Sequence, residues 1–227
     1  MDKFDEIKED VDEFVEDVGE EIETGWKKFK KSGLKYVLAV LLVFIFLFSL
    51  LPIYFISLDP PPKNIPSLSE VVPANMTYER INSSYYSDYI IVDSEIKSIA
   101  DKIVTQSCDS GEKVCHAKAL FYFVQKNLKY VSDPAKFEYV KTAKESLINR
   151  GGDCDDASVL LATLLESIGI PTRLVFIPAH VYVEAWIPEA RAKYKSEDNW
   201  VSLDATCQYC DFGEIAYSSS KQDKTYE

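Results

Sequence analysis

The segment RGGDCDDASVLL, residues 150–161, places Cys154 between a glycine pair and two aspartates, immediately before an apolar helical pattern. With Asp153 as the N-cap and Asp156 completing an approximate capping box, the sequence predicts Cys154 in the first turn of a helix. The free N–H groups there favour a thiolate and can donate to an oxygen that becomes negative during attack on a carbonyl. Asp155 and Asp156 oppose ionisation of the thiol, so the pattern predicts a nucleophile that needs a base.

His180, the first residue of the strand pattern HVYVEAWI, is predicted to be that base. The other histidine, His116, follows Cys115 inside a helical pattern and is interpreted as a surface or helix-end residue. In the next strand pattern, WVSLDA, Asp204 lies on the polar face. A hairpin centred near Ala192 would put His180 directly opposite Asp204, whose carboxylate could then hold the imidazole in the orientation of a general base.

The elements that must position these groups come in a simple order, helices first and strands afterwards. Apolar residues recur at helical spacing in SEIKSIADKIV, HAKALFYFVQKNLKYV, EYVKTAKESLINR and the segment that starts at Cys154. Gly169 and Pro171 end the last of these helices. The period then changes to that of strands in TRLVFI, HVYVEAWI and WVSLDA. This order indicates an α+β fold in which N-terminal helices are followed by an antiparallel β-sheet.

Three of these segments, GGDCDDASVLLATLLESIGIPTRLV, HVYVEAW and WVSLDAT, resemble the transglutaminase-like superfamily of papain-type thiol enzymes, in its bacterial and archaeal branch. The resemblance runs from about Lys126 to Thr206 and implies a transglutaminase-like core. It also implies that Cys154 is the nucleophile, His180 the base and Asp204 the residue that orients the base. The family often has tryptophan two residues after the histidine, where this chain has tyrosine. The residue that completes the oxyanion hole is left open among three candidates, Gln125, Asn127 and Tyr130.

The resemblance implies chemistry on a peptide or protein amide. The thiolate of Cys154 would attack the carbonyl, His180 would pass a proton to the leaving amine, and the acyl-enzyme would be resolved by water or by a second amine. Hydrolysis, as in a cysteine protease or amidase, is favoured because nothing in the sequence marks an amine-binding site. The alternative is a catalytically silent module that keeps the fold for a binding or structural role. No cofactor is expected.

Residues 33–58 are predicted to form a transmembrane helix, since the run from Tyr36 to Leu58 carries no charge. Five lysines lie shortly before this run, and Lys63 is the one basic residue close after it. By the positive-inside rule we expect a single-pass cell-membrane protein with a cytoplasmic N-terminus and an extracytoplasmic catalytic domain. Asn75 in NMT and Asn82 in NSS are glycosylation candidates on the outer side.

The predicted domain organisation adds three further parts. Residues 59–89 are rich in proline and are predicted to be an extracytoplasmic stalk, and residues 90–227 to be the transglutaminase-like domain. Residues 1–32 are predicted to be an acidic, amphipathic cytoplasmic helix, with apolar residues at a/d spacing: Phe4, Ile7, Val11, Phe14 and Val18. Such a helix could self-associate or dock on a partner, and partial disorder is a third interpretation. The net charge of −12 argues against nucleic acid as a partner.

The remaining four cysteines are disulfide candidates, since an outward-facing domain permits disulfides. Local pairing of Cys108 with Cys115 and of Cys207 with Cys210 is favoured, although the sequence allows three connectivities. A zinc site formed by these cysteines, with or without His116, is the alternative, and the six-residue gap in the first pair disfavours it.

The aspartates around Cys154 also raise the question of a calcium site. Asp153, Asp155 and Asp156 occupy adjacent helix positions and are expected to point in different directions. Because calcium takes six or more converging oxygens, helix capping is the preferred explanation for these residues.

Overall fold

The computed structural model describes residues 19, 22–28, 33, 35–51, 59–109, 111–134, 138–196, 198–216 and 220–227. The chain divides into two compact units, Met1–Phe55 and Ile56–Glu227. Each unit has its own organisation.

The described part of the first unit is helical, over residues 22–28 and 35–51, with exposed side chains. In the part of the chain that the structure describes, none of the helices combines the length and the apolar character that crossing a membrane requires. This finding contradicts the predicted transmembrane helix at 33–58, and with it the predicted single-pass localisation and topology.

The predicted amphipathic helix and the end of the predicted membrane span include residues that the structure does not describe. The a/d positions from Phe4 to Val18 lie outside the described residues, as do residues 52–58 of the predicted span. Self-association through the N-terminal helix therefore stays a prediction.

The second unit begins with helices. The described α-helices are α1 (Leu68–Val71), α2 (Ser94–Ser107), α3 (Lys113–Asn127), α4 (Ala143–Asn149) and α5 (Cys154–Ser167). Short 3-10 helices lie at Tyr86–Tyr89 and Ala192–Tyr194. A side chain caps the start of α2: the carboxylate of Asp93 accepts hydrogen bonds from the backbone of Glu95 and Ile96, both at 3.0 Å. Helix α2 therefore begins where a short polar residue can satisfy its free N–H groups, whereas Glu112 before α3 makes no such cap.

The described strands form two sheets. They are β1 (Lys129–Tyr130), β2 (Gly151–Gly152), β3 (Thr172–Ile177), β4 (His180–Trp186), β5 (Trp200–Leu203) and β6 (Thr225–Tyr226). β1 and β2 form a small parallel pair, and the other four form an antiparallel sheet in the order β5-β4-β3-β6. The predicted α+β core of helices followed by an antiparallel sheet is confirmed.

The register of the β4–β5 pair differs from the predicted one. Val183 pairs with Leu203 and Trp186 with Trp200, which is a shift of two residues from a hairpin centred on Ala192. A 3-10 helix and an isolated bridge inside the loop make the turn asymmetric, so its midpoint did not give the register. Because side chains alternate with a period of two, the shift leaves the predicted faces of both strands unchanged.

The core lies between the helices and one face of the sheet. Helix α5 supplies much of it, and the inward residues of β4 pack against this helix: Val181, Val183 and Ala185 are all buried. The opposite face of the sheet carries a smaller cluster formed by Val175, Ile177 and Tyr182. Helix α5 and strand β4, which carry the predicted nucleophile and base, therefore pack directly against each other.

Residues 59–89, predicted from their prolines to form a stalk, pack along the domain in the structure. Leu68 and Val71 of α1 are buried in the main core. The backbone N–H of Lys63 donates to the carbonyl of Ser107 at 2.8 Å. Asp59 forms an ion pair with Lys118, which is itself buried. This segment thus belongs to the same compact unit as the helices and the sheet.

Candidate active site

Helix α5 begins at Cys154, as the sequence predicted. The carboxylates of Asp153 and Asp156 form a reciprocal capping box, in which Asp153 N–H donates to Asp156 at 3.3 Å. Gly152 lies against this box, and a Cβ at that position would collide with the side chain of Asp156. Glycine is therefore required here by the close approach of the capping carboxylate. The arrangement leaves Cys154 at the first helical position, beside free backbone N–H groups.

Cys154 is the free cysteine of the chain, and its side chain is partly exposed. The other four form two local disulfides, Cys108–Cys115 and Cys207–Cys210, with S–S distances of 2.03 and 1.91 Å. This is the pairing that the sequence favoured, and it consumes the thiols that the alternative zinc site would have needed.

A hydroxyl group at the first turn of α5 connects this helix to β4. The Ser158 hydroxyl lies 2.7 Å from the carbonyl oxygen of Cys154 and 3.1 Å from that of Val181. Val181 directly follows His180, the first residue of β4. These contacts hold the nucleophile end of the helix against the strand that carries the predicted base.

His180 contacts both Asp204 and Cys154. Its Nε2 lies 2.9 Å from Oδ2 of Asp204, a carboxyl that is 97% shielded from solvent and follows the end of β5. The hydrogen bond with Asp204, and after it the one with Cys154, raise the pKa of His180 to about 10, although burial acts in the opposite direction. Since Nε2 serves Asp204, Nδ1 is the nitrogen available to Cys154. At neutral pH the imidazole is therefore a cation held between sulfur and carboxylate.

Asp204 stays ionised in spite of its burial. Burial alone would raise the pKa of Asp204, but hydrogen bonds from His180 and Thr206 outweigh it and lower the pKa below its usual value. The structure thus brings together the three predicted residues, Cys154, His180 and Asp204, although β4 and β5 are not in the predicted register. Asp204 reaches His180 diagonally from the end of its strand rather than from the position directly opposite.

The acidic residues beside Cys154 carry less charge than the sequence indicated. Burial, a hydrogen bond with Asp153 and the charge of Asp156 raise the pKa of Asp155 to about 9. Asp155 is therefore protonated at neutral pH and places no negative charge beside Cys154. Burial also raises the pKa of Asp156, but the ammonium of Lys141 acts against this and forms an ion pair with its carboxylate.

The expectation that these aspartates point in different directions is wrong. Asp153, Asp155 and Asp156 each present one oxygen, and the three oxygens lie within 4.8 Å of one another. The capping box already uses two of these carboxylates, and Lys141 supplies a cation to one of them. Three oxygens with a resident ammonium make a smaller set than the six or more oxygens that calcium takes.

The oxyanion-hole candidates have different surroundings. The side-chain amide of Gln125 donates to the carbonyls of Cys207 and Cys210, and that of Asn127 donates to Pro66 and Phe123. Both amides are thus used inside the fold. Tyr130 is the candidate whose pKa is affected by Cys154. Burial raises the pKa of its phenol, and the charge of Cys154 raises it further.

Sequence reasoning missed Tyr86 as a neighbour of the site. Its ring packs edge-on against Phe176 of β3 at 5.0 Å between ring centroids. Burial raises the pKa of Tyr86 to about 12, with further contributions from the charges of Asp155, Glu138 and Cys154. Tyr86 thus remains a neutral phenol near Cys154, the predicted nucleophile. It lies in the proline-rich segment, where no local pattern pointed to the site.

Comparison with known proteins gives one family. Residues 97–205 match the sequence profile of the transglutaminase-like superfamily, a range that contains Cys154, His180 and Asp204. No match was found among curated proteins.

Several solved structures are similar to part of this chain. A candidate cysteine protease from Cytophaga hutchinsonii is 18% identical over 56% of this chain and 44% of its own length, with a TM-score of 0.39. LapG from Legionella pneumophila is 12% identical over 71% of this chain and 83% of its own, with a TM-score of 0.42. The periplasmic domain of TgpA from Pseudomonas aeruginosa, bound to ethylmercury, is 20% identical over 54% and 49%, with a TM-score of 0.38. The match thus spans less than half of the Cytophaga protein.

Proposed function

Because residues 97–205 match the transglutaminase-like superfamily, we propose that this chain is a thiol enzyme acting on peptide or side-chain amides. Cys154 is the nucleophile, His180 the general acid and base, and Asp204 the group that orients His180. The observation that carries the proposal is the hydrogen bond of 2.9 Å between His180 and the buried carboxylate of Asp204, on an imidazole whose pKa is raised by this carboxylate and by Cys154.

The proposed reaction begins with the thiolate of Cys154 attacking the carbonyl carbon of the amide. The negative oxygen that forms accepts hydrogen bonds from the N–H groups at the start of α5. The imidazolium of His180 transfers its proton to the amine nitrogen, the C–N bond breaks, and the amine leaves. The acyl group is then bound to sulfur as a thioester. Water, deprotonated by His180, attacks this thioester, and the acid product and the thiolate are released.

Hydrolysis is the preferred outcome over transfer to a second amine. Cys154 is partly exposed, and His180 lines an open cleft together with Thr206 and Tyr209. We therefore expect water to reach the acyl-enzyme. A catalytically silent module is the outcome that the following test would reveal if the proposal is wrong.

The test uses the reactivity of the one free thiol. Iodoacetamide at neutral pH should modify Cys154 far faster than an ordinary thiol, and His180→Ala should slow this reaction by more than tenfold. His116→Ala, the matched control at the other histidine, should react like the wild type. An acyl probe directed at thiols, followed by mass spectrometry, should carry its label on Cys154, and Cys154→Ser should lose it without a change in thermal unfolding. Ordinary alkylation rates in the wild type would indicate a non-catalytic module, whereas amide turnover retained by Cys154→Ser would show that Cys154 is not the nucleophile.

A further inference from the structure

The carboxylate of Asp204 is held on both of its oxygens. Oδ2 faces His180, while Oδ1 accepts hydrogen bonds from three donors in the following turn. These donors are the hydroxyl of Thr206 at 2.7 Å, the N–H of Thr206 at 3.1 Å and the N–H of Cys207 at 3.2 Å. The direction in which Oδ2 points is therefore set by the backbone of residues 204–207.

A disulfide and a glutamine side chain hold this turn in place. The first is the Cys207–Cys210 disulfide, which ties the turn across two intervening residues. The second is Gln125 on α3, whose Nε2 donates to the carbonyl of Cys207 at 2.8 Å and to that of Cys210 at 2.9 Å. A side-chain amide nitrogen carries two hydrogens, so these two bonds use its whole donor capacity.

We propose that Gln125 is a positioning residue, which fixes the Cys207–Cys210 turn and through it aims the Asp204 carboxylate at His180. This inference rests on the proposed function, in which Asp204 orients His180. It also removes Gln125 from the oxyanion-hole candidates, because neither of its amide hydrogens is available to a substrate. Tyr130 then remains among those candidates as the one that faces the charge of Cys154.

The physical reason lies in the burial of the turn. Both disulfide cysteines are buried. If Gln125 is removed, the carbonyl of Cys210 loses the donor described for it, whereas the carbonyl of Cys207 keeps the N–H of Cys210 at 3.2 Å. A buried carbonyl without a partner is unfavourable, and the turn is expected to rearrange until water reaches it. Because the N–H groups of Thr206 and Cys207 move with the turn, the Asp204 carboxylate rotates with them. A misplacement of about 1 Å in such a group costs up to about 100-fold in rate.

The experiment compares two ways of releasing the turn, each with a matched control. Gln125→Ala removes the amide, and Gln125→Glu keeps its size but replaces the donor with an acceptor. The double variant Cys207→Ser/Cys210→Ser opens the disulfide without adding a thiol. Gln106→Ala, at an exposed position of α2, is the control for the glutamine, and Cys108→Ser/Cys115→Ser is the control for the loss of a disulfide.

Two readouts are measured on the full chain. The first is the rate at which iodoacetamide modifies Cys154. The second is the titration of the His180 imidazole by NMR, which is practical because the chain has two histidines and His116 serves as an internal reference. A merely structural role of Gln125 would lower thermal stability without moving the His180 titration. We expect each Gln125 variant and the Cys207/Cys210 variant to slow alkylation by about tenfold or more and to shift the His180 titration midpoint to lower pH.

The outcomes separate the inference from the proposed function. Folded Gln125 variants with wild-type alkylation and a wild-type His180 midpoint would overturn the positioning role, as would equal shifts in the two control variants. If the wild-type thiol is unreactive but the Gln125 variants still shift the His180 midpoint, Gln125 positions Asp204 and the proposed enzyme activity is wrong.

Discussion

Replacing Asp204 by asparagine tests the electrostatics of the site most directly, because it removes one charge and keeps the shape. The contacts of His180 raise its pKa from 6.5 to about 10. At about 1.4 kcal/mol per pKa unit, the surroundings of His180, with burial acting against its two partners, favour the imidazolium by about 5 kcal/mol in total. Asp204 is the larger contributor, so we expect Asp204→Asn to lower the free energy of unfolding by about 3 kcal/mol near pH 6, as for a broken buried ion pair.

The loss should depend on pH in a defined way. The pKa of His180 is higher in the folded protein, so its contribution to stability is complete below pH 6.5 and disappears as the pH rises through about 10. The pKa of Asp204 is lowered, so its contribution is present above pH 3.8 and disappears as the pH falls. The difference between wild type and Asp204→Asn should therefore be largest at about pH 5 to 6 and shrink towards about pH 10.

Urea unfolding followed by circular dichroism at a series of pH values measures this difference. The control is Asp223→Asn at an exposed position, which should leave the unfolding curves unchanged. A difference that stays constant between about pH 6 and pH 10 would refute the reasoning, because the contact with Asp204 would then not be what keeps His180 protonated.

Two further predictions concern the start of α5. Gly152→Ala places a methyl group in the position of the Asp156 side chain and should destabilise the fold by about 1–3 kcal/mol in urea unfolding, whereas Gly111→Ala, with open space around it, should not. If Gly152→Ala unfolds like the wild type, the close approach to the capping box does not exist. Asp155→Asn should leave the rate of Cys154 alkylation at pH 7 within about twofold of the wild type, because the pKa near 9 keeps this carboxyl neutral there. A large acceleration in that variant would mean that Asp155 is ionised and opposes the thiolate.

The neutral state of Asp155 affects how easily a thiolate can form at Cys154. A thiolate flanked by two ionised carboxylates would be disfavoured, and the sequence indicated such a cost. In the structure one of the two flanking acids keeps its proton, and the other faces the ammonium of Lys141. The positive helix terminus and the His180 imidazolium therefore act on Cys154 with little opposition from these neighbours.

Local patterns were sufficient for the parts of the protein that depend on near neighbours in the chain. The N-cap at Asp153, the start of α5 at Cys154 and the two short-range disulfides all follow from residues within one or two turns of each other. Alternation along β4 and β5 gave the correct faces because a period of two survives an even shift in register. The resemblance of residues 97–205 to the transglutaminase-like superfamily could also be inferred from three short motifs.

Tertiary structure decided what depends on distant residues or on burial. The asymmetric loop before β5 determines the register of the β4–β5 pair. Gln125 donates hydrogen bonds to Cys207 and Cys210, more than eighty residues further along the chain. Tyr86 lies near Cys154 in the structure, although its proline-rich segment has no sequence pattern that indicates a site. The protonation of Asp155 depends on desolvation, which no linear pattern reports. Caps, turns and alternation depend on adjacent residues, so the sequence by itself determines them. Strand register, long-range hydrogen bonds and shifted pKa values depend on elements that pack together and exclude water from between them.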